Sequence, residues 1–291
     1  MPQQEMVGRR LARRLTWLDP VEDKLQPLVR DALRKTMPLR NLLDGTWLGA
    51  PLHPALTDVP VGAMATALIL DAAESLTGSQ RCGEAADGAL AVGVLATLPA
   101  ALTGTSDWRD LMGETRRVAS AHALLNVGGL VLNIASLVGR VRGSRRCAKA
   151  SSGAAFALSS IAAHIGGELS YGMSVRVNHD AAHTGPAEFT DVLAEEDLAS
   201  DALMRLEVDG ESVLLARSRT GAPVAIAAVC SHAGGPLEEG ERDGDRVVCP
   251  WHGSCFEMET GEVVNGPAVF PQPRYETRVS AGRISIRRAQ P

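Results

Sequence analysis

Two short runs in this 291-residue chain carry side chains able to hold a soft metal: Cys230-Ser231-His232 and Cys249-Pro250-Trp251-His252. Sixteen residues separate His232 from Cys249. Thiolates are soft ligands and imidazole is a neutral nitrogen donor, so two of each suit a zinc ion or an iron–sulfur cluster. Compared with four cysteines, this set holds two fewer negative charges, which on a [2Fe-2S] cluster makes reduction easier. The chain has only 5 cysteines and 7 histidines, so composition alone does not produce this spaced quartet. Cys255, three residues past His252, would be a fifth ligand that the site does not need, and it reads as a buried or loop thiol.

The elements that must position these runs are short strands. From Glu188 the segments 206–208, 212–216, 224–229, 246–248, 275–279 and 283–286 read as strands, with Gly210, Gly221, Gly244, Gly261 and Gly282 as turns. This pattern predicts a small all-β domain over residues 187–291, after a linker at 173–186.

The first part of the chain is different. Residues 1–186 carry 19 Lys and Arg against 16 Asp and Glu, whereas 187–291 carry 10 against 18. Long stretches without a formal charge lie between Asp87 and Asp107, Arg117 and Arg140, and Lys149 and Glu168. A bilayer-spanning helix needs about 20 mostly apolar residues, and each stretch comes close to or passes that length. Four membrane helices are expected within 46–172, at 54–76, 88–106, 118–139 and 151–170. The first is the weakest, because Asp58 and Asp71 shorten its uncharged core. Residues 1–45 read as a basic, amphipathic cytosolic segment, in which Arg9, Arg10, Arg13 and Arg14 stand beside Leu11, Leu15 and Leu18. No secretory signal pattern is visible. Thirteen Lys and Arg fall on one face of this four-span arrangement and six on the other, so the larger group is expected in the cytoplasm, with both termini. The basic run from Arg140 to Lys149 works against that orientation.

The two ligand boxes, with Gly234-Gly235-Pro236-Leu237, Gly253-Ser254 and Gly266-Pro267, resemble the Rieske iron–sulfur family over about residues 187–289. The resemblance implies an antiparallel β-sandwich or barrel-like domain with cluster-binding loops. It also implies Cys230 and Cys249 on one iron of a [2Fe-2S] cluster, and His232 and His252 on the other. High-potential Rieske proteins of quinol-oxidising complexes have an extra, disulfide-forming cysteine in each box; here those positions hold Gly235 and Trp251. The ferredoxin-like and oxygenase branches lack that disulfide, which also suits a reducing cytosol. Ser254 sits where the high-potential branch has a serine that bonds a cluster sulfide. Phe256 replaces a tyrosine that bonds a ligand sulfur there. Losing one such bond places the expected potential in the low to middle Rieske range. The membrane half is similar to an uncharacterised bacterial four-helix membrane family that occurs beside redox domains. The likeness rests on Leu52-His53-Pro54-Ala55-Leu56-Thr57-Asp58-Val59-Pro60, Ser106-Asp107-Trp108-Arg109 and His164-Ile165-Gly166-Gly167-Glu168. It implies architecture and no activity.

His53, His122 and His164 fall at similar depth on the cytoplasmic side of the expected bundle. His122, Asn126, Gly129, Asn133 and Ser136 form one polar stripe along the third helix. Three readings stand: a bis-histidine haem b between His122 and His164, a quinone or other small-molecule pocket, and interhelical hydrogen bonding. His179 and His183 read as linker residues. Cys82 and Cys147 share the non-cytoplasmic face, where a disulfide is open.

The leading functional expectation is a membrane-anchored carrier of single electrons on the cytoplasmic face, an electron-transfer component rather than an oxygenase. Its partners would be the lipid bilayer, a basic redox protein drawn by the acidic β domain, and a quinone. An oxygenase needs a separate mononuclear iron site, and no histidine follows His252. The alternative is a redox sensor or transporter whose cluster regulates the bundle. A net charge of −5 speaks against nucleic acid, and no dinucleotide fingerprint follows a strand.

Overall fold

The computed structural model describes residues 6–289, which divide into two compact units. Its helices are α1 (Val7–Ala12), α2 (Asp19–Lys35), α3 (Met37–Asp44), α4 (Leu52–Thr77), α5 (Gln80–Trp108), α6 (Gly113–Val141) and α7 (Arg145–Gly167). The helical unit takes the chain up to Lys35 and again over Leu52–Val175. The β unit takes Arg176 onward and also Thr36–Pro51, so α3 packs with the strands.

The four expected membrane helices correspond to α4–α7. Three of them, α4, α5 and α6, are long and apolar enough to cross a bilayer. At 23 residues α7 spans about 34 Å. It is long enough, but Arg145, Arg146, Lys149, four serines and His164 dilute its apolar character. Gly78, in the left-handed region at φ 68°, turns the chain between α4 and α5, and Ser79 caps α5 by accepting from the Cys82 N–H at 3.5 Å.

Packing in this unit is inverted relative to a water-soluble bundle. The buried apolar positions are mostly small: Ala67, Ala86, Ala121, Ala148, Ala155 and Ala162. Large apolar side chains face outward, with Ile69, Leu95 and Leu102 more than half exposed. Small residues let helices approach closely: a Cβ on Gly129 would stand 3.0 Å from the Ser159 hydroxyl and 3.3 Å from the Ala155 carbonyl. Asp71, which weakens the first span in sequence, is buried and paired with Arg140, which also bonds Asp87 at 2.7 Å. Arg145 and Lys149 reach Glu74 at 2.6 and 2.9 Å. Much of the basic run after α6 therefore turns back onto acids of the α4–α5 hairpin.

The amphipathic segment before the bundle also packs inside out. On α2, Gln26 donates to the Trp108 and Leu111 carbonyls at 3.0 and 2.7 Å, and Glu22 pairs with Arg116 at 2.8 Å. The opposite face leaves Val21, Leu25 and Leu28 exposed.

In the β unit, strands β1 (Thr190–Ala194), β2 (Met204–Val208), β3 (Glu211–Arg217), β4 (Pro223–Ala227), β5 (Glu241–Asp243), β6 (Arg246–Val248), β7 (Cys255–Glu257), β8 (Val263–Asn265), β9 (Arg274–Ser280) and β10 (Arg283–Arg288) form two antiparallel sheets. Their orders are β1-β10-β9-β4-β3-β2 and β5-β6-β7-β8. Alternation on β3 serves two cores. Leu214 joins Ile226, Leu237, Val247 and Phe256, whereas Val213 and Leu215 join Ala225, Tyr275, Ile284 and Ile286. The six expected strands all form. Four more, β1, β5, β7 and β8, add to them; all but β1 are too short to show a period of their own.

Candidate metal centre

The two ligand runs fold into the same turn. The Cys230 carbonyl accepts the Gly234 N–H at 2.8 Å, and the Cys230 N–H donates to the Gly235 carbonyl at 2.9 Å. In the second loop the Cys249 carbonyl accepts the Gly253 N–H at 3.0 Å, and the Cys249 N–H donates to the Ser254 carbonyl at 2.8 Å. Gly234 and Gly253 both have positive φ, 76° and 72°, where an L side chain is strained. The main-chain N–H groups of His232 and Ala233 favour the thiolate of Cys230, and those of Trp251 and His252 that of Cys249. Each turn is therefore a small nest of donors for a thiolate.

The loops meet face to face. A Cβ on Gly235 would stand 2.9 Å from the Cys249 sulfur and 3.1 Å from the Trp251 ring. The positions where the high-potential branch has a disulfide thus adjoin here as glycine and tryptophan. The His232 and His252 rings lie 5.0 Å apart, at 87°. Burial is graded: both cysteines are almost fully buried, both histidines are half-buried, and Trp251 is 56% exposed beside His252. The Nδ1 atoms of both histidines are nonetheless buried.

The two thiols perturb each other in opposite directions. A hydrogen bond from Cys230 holds the Cys249 thiol down to about 7, helped by the Trp251 and His252 N–H groups and opposed by burial. The same bond, with burial, pushes Cys230 well up. The donor set, the paired N–H nests and the buried Nδ1 atoms together fit a group that takes two thiolates and two imidazoles.

Segments outside the motif brace both loops. Arg40 on α3 donates to the His252 carbonyl at 2.7 Å. Asn41 donates to Asn265 and accepts from the Gly266 N–H, both at 3.0 Å. Arg176 donates to the Pro267 and Asp44 carbonyls at 2.8 and 2.7 Å. Arg40 and Arg176 flank the carboxylate of Asp44, at 3.7 and 3.8 Å. Arg40 and Asp44 are buried, at 4% and 0% exposure. On the other loop, the His179 N–H donates to the Ser231 carbonyl at 3.0 Å, and the Ser231 hydroxyl to the Phe270 carbonyl at 2.8 Å. Sequence reading misses Arg40, Asn41, Asp44 and Arg176. It treats 1–45 as a single cytosolic segment, and nothing local to Arg40 signals a partner in the second ligand loop.

Other residues singled out in sequence take definite places. Ser254 is fully buried and its oxygen accepts the Ala268 N–H at 3.0 Å, which leaves its hydroxyl proton free to donate. Phe256 is a core residue, and Cys255 is a buried thiol on β7 whose pKa burial pushes up. His183 is buried in a polar cluster, with the Tyr275 hydroxyl at 2.5 Å and Asp180 and Glu211 each at 3.2 Å. Cys82 and Cys147 are both free cysteines, so the open disulfide does not form in this structure. The suggested His122–His164 haem pair is also corrected. His164 is 64% exposed and pairs with Glu168 at 3.3 Å, while the ring near His122 is that of His53, 6.4 Å away. The turn of α7 carries His164 off the face that His122 occupies.

Comparison with known proteins agrees with this architecture. Residues 188–276 match the Rieske [2Fe-2S] domain, and residues 49–179 match the family described as predicted membrane protein (DUF2231). The chain thus carries a Rieske [2Fe-2S] domain, which binds such a cluster, placed after a domain of that membrane family. Apoptosis-inducing factor 3 of Mus musculus is 30% identical over 92 residues, 32% of this chain and 15% of its own length. The ferredoxin CarAc of Metapseudomonas resinovorans is 28% identical over 95 residues, 33% of this chain and 89% of its own length. Among solved structures, the ferredoxin of carbazole 1,9a-dioxygenase from Nocardioides aromaticivorans IC177 is 26% identical with a TM-score of 0.33, covering 35% of this chain and 98% of its own. The chain spans only a small part of the length of the first of these relatives.

Proposed function

We propose that Cys230, His232, Cys249 and His252 hold the [2Fe-2S] cluster and that the protein is a membrane-anchored carrier of single electrons. The observation that carries this reading is the duplicated turn, which presents two thiol–imidazole pairs at one loop junction. When bound, the cluster supplies a one-electron couple. The chain's own residues do the rest. The paired N–H groups stabilise thiolate charge, Gly235 lets the loops close on each other, and Arg40 with Ser231 fixes their backbones. The graded burial puts the cysteines inside and the histidines at the rim. Electrons would therefore enter and leave on the histidine side, beside exposed Trp251.

The membrane reading puts the bundle in the bacterial inner membrane as a multi-pass anchor, with both termini and the Rieske unit cytoplasmic. The apolar face of α2 and its neighbouring arginines suit contact with anionic lipid. The excess of acid over base in residues 187–291 favours a basic redox partner, and a quinone is the membrane-side candidate. Iron, sulfide and zinc analysis of the full chain in detergent, with electron paramagnetic resonance of the reduced form, tests the cofactor. Stoichiometric zinc without iron overturns it. Cys147 is an exposed thiol on the face read as non-cytoplasmic. A membrane-impermeant maleimide should label it in intact spheroplasts; labelling only in inverted vesicles reverses the orientation.

The redox-sensor alternative draws on a separate observation. Thr36–Pro51 leads directly into α4, and Arg176 and His179 follow the bundle; all three bond the ligand loops or their neighbours. Hydrogen exchange at α3 that differs between oxidised and reduced protein supports it, and identical exchange removes it.

A further inference from the structure

Two histidines of the helical unit are docked in the same manner. His53, near the start of α4, bonds through Nδ1 to the Ala100 carbonyl on α5 at 2.9 Å, with the Thr103 hydroxyl at 3.3 Å. His122, on α6, bonds through Nδ1 to the Ala162 carbonyl on α7 at 2.7 Å. One turn beyond each carbonyl lies a glycine that admits the ring. A Cβ on Gly104 would stand 2.9 Å from Cε1 of His53, and one on Gly166 would stand 3.3 Å from Cε1 of His122. The sequence repeats accordingly: Ala100-Ala101-Leu102-Thr103-Gly104 and Ala162-Ala163-His164-Ile165-Gly166. The α4–α5 and α6–α7 hairpins thus offer the same histidine platform twice.

The hydrogen bonds fix the chemistry on offer. A carbonyl only accepts, so each Nδ1 carries its proton, and in the neutral ring the lone pair is on Nε2. The Asn126 amide stands 3.1 Å from Nε2 of His122 and also 3.1 Å from the His122 carbonyl, so it keeps one bond if a ligand takes the nitrogen. The rings are 6.4 Å apart, centre to centre, at 83°. Two imidazoles on opposite sides of one iron, each nitrogen about 2 Å from the metal, have centres about 6 Å apart. Second-shell bonds from Nδ1–H to a carbonyl are what orient a metal-ligating histidine and raise its basicity.

Two nitrogens alone do not complete a metal site, and among the described residues no third His, Cys, Asp or Glu joins them. The remaining donors must come with the metal, and a tetrapyrrole brings four in a plane with two equivalent faces. Such a ligand matches the repeat of the platform. A quinone matches less well: its carbonyl oxygens need donors, and both Nδ1–H groups are engaged by helix carbonyls. We propose that His53 and His122 are the axial ligands of an iron tetrapyrrole, a haem, held between the two helical hairpins.

The test uses the full chain, expressed with a haem precursor and purified in detergent. A pyridine haemochrome assay and low-temperature electron paramagnetic resonance read haem and cluster separately, so the haem proposal can fail while the cluster reading stands, or the reverse. One haem per chain with a low-spin bis-imidazole signal is expected. H53A and H122A should each cut haem content at least tenfold and leave the cluster signal. H164A should leave both signals. H122M guards against a variant that loses haem only by misfolding, since it should retain haem with an altered low-spin signal. Absence of haem after precursor feeding and hemin titration overturns the proposal. So does haem that survives in the H53A/H122A double variant, or copper in place of iron.

Discussion

In the β unit, one main-chain turn is made twice between Cys230 and His252, and each turn presents a thiol and an imidazole. In the bundle, one histidine platform is made twice, but its parts come from four helices and its two rings stand on α4 and α6. The first duplication is local: glycines at positive φ and N–H groups two and three residues past each cysteine build it. The second is tertiary: a carbonyl and a glycine on a neighbouring helix build it. A local device survives changes elsewhere in the fold, whereas a tertiary one fails when helices shift. Buried charge follows a parallel division. Arg140 is enclosed with Asp71 and Asp87 in the bundle, and Arg40 and Arg176 with Asp44 in the β unit.

The largest effect that probes this comparison is expected in the bundle. Arg140→Ala leaves Asp71 buried without its bidentate partner, a loss of about 3–5 kcal/mol by analogy with broken buried pairs. Thermal unfolding in detergent should show a strong drop for this variant, and Asp71→Asn with Arg140→Ala together should recover part of it. A drop no larger than that of an exposed-site control would mean that water or lipid headgroups reach the pair.

The loop junction provides the next test. Gly235→Ala forces a methyl to within 2.9 Å of the Cys249 sulfur, so the loops must separate and cluster content should fall severalfold. Gly234→Ala meets nothing within 4 Å and carries only the strain of its positive φ, about 1 kcal/mol. Iron and sulfide per chain should therefore separate these neighbours. Equal losses would show that backbone strain, not the closeness of the loops, governs assembly.

The charged brace should tune the cluster rather than assemble it. Arg40, Asp44 and Arg176 sum to one buried positive charge, which favours the reduced state of a nearby cluster. Arg40→Gln should lower the midpoint potential and Asp44→Asn should raise it, each by about 1 kcal/mol, or ~40 mV for one electron. Potentiometric titration of the purified chain reads both. Shifts of the same sign would point to altered loop geometry instead of charge.

These cases show what is legible in a sequence. Cys230, His232, Cys249 and His252 stand out because local turns hold them at fixed spacing, and residue type alone names their chemistry. Long charge-free runs likewise disclose α5 and α6, since apolar length is itself the requirement for crossing a bilayer. His53 is marked in sequence only by its depth, and its relation to His122 depends on a helix pairing that no periodicity encodes. Arg40 reads as one more basic residue in a basic segment. Asp71 reads as a flaw in a span because its partner, Arg140, lies two helices further along the chain. The shortest strands, such as Cys255–Glu257, are defined by their neighbours in the sheet and not by their own pattern.

The smallest expected effect concerns pH at the linker. Glu211 accepts from the Thr184 hydroxyl and N–H at 2.7 and 2.8 Å, and these bonds hold its carboxyl below the ordinary glutamate range. Its pKa is lower in the folded state than in the unfolded one. The carboxylate therefore adds stability that is fully present above the unfolded value of about 4.3 and is lost as pH falls through the folded value. The group is partly solvated, so its share is modest. Glu211→Gln should flatten the acid side of the unfolding profile below about pH 4.5 and leave the neutral region nearly unchanged. If instead the variant loses as much stability in acid as at neutral pH, the side chain acts through packing and uncharged hydrogen bonds, and not through its carboxylate charge.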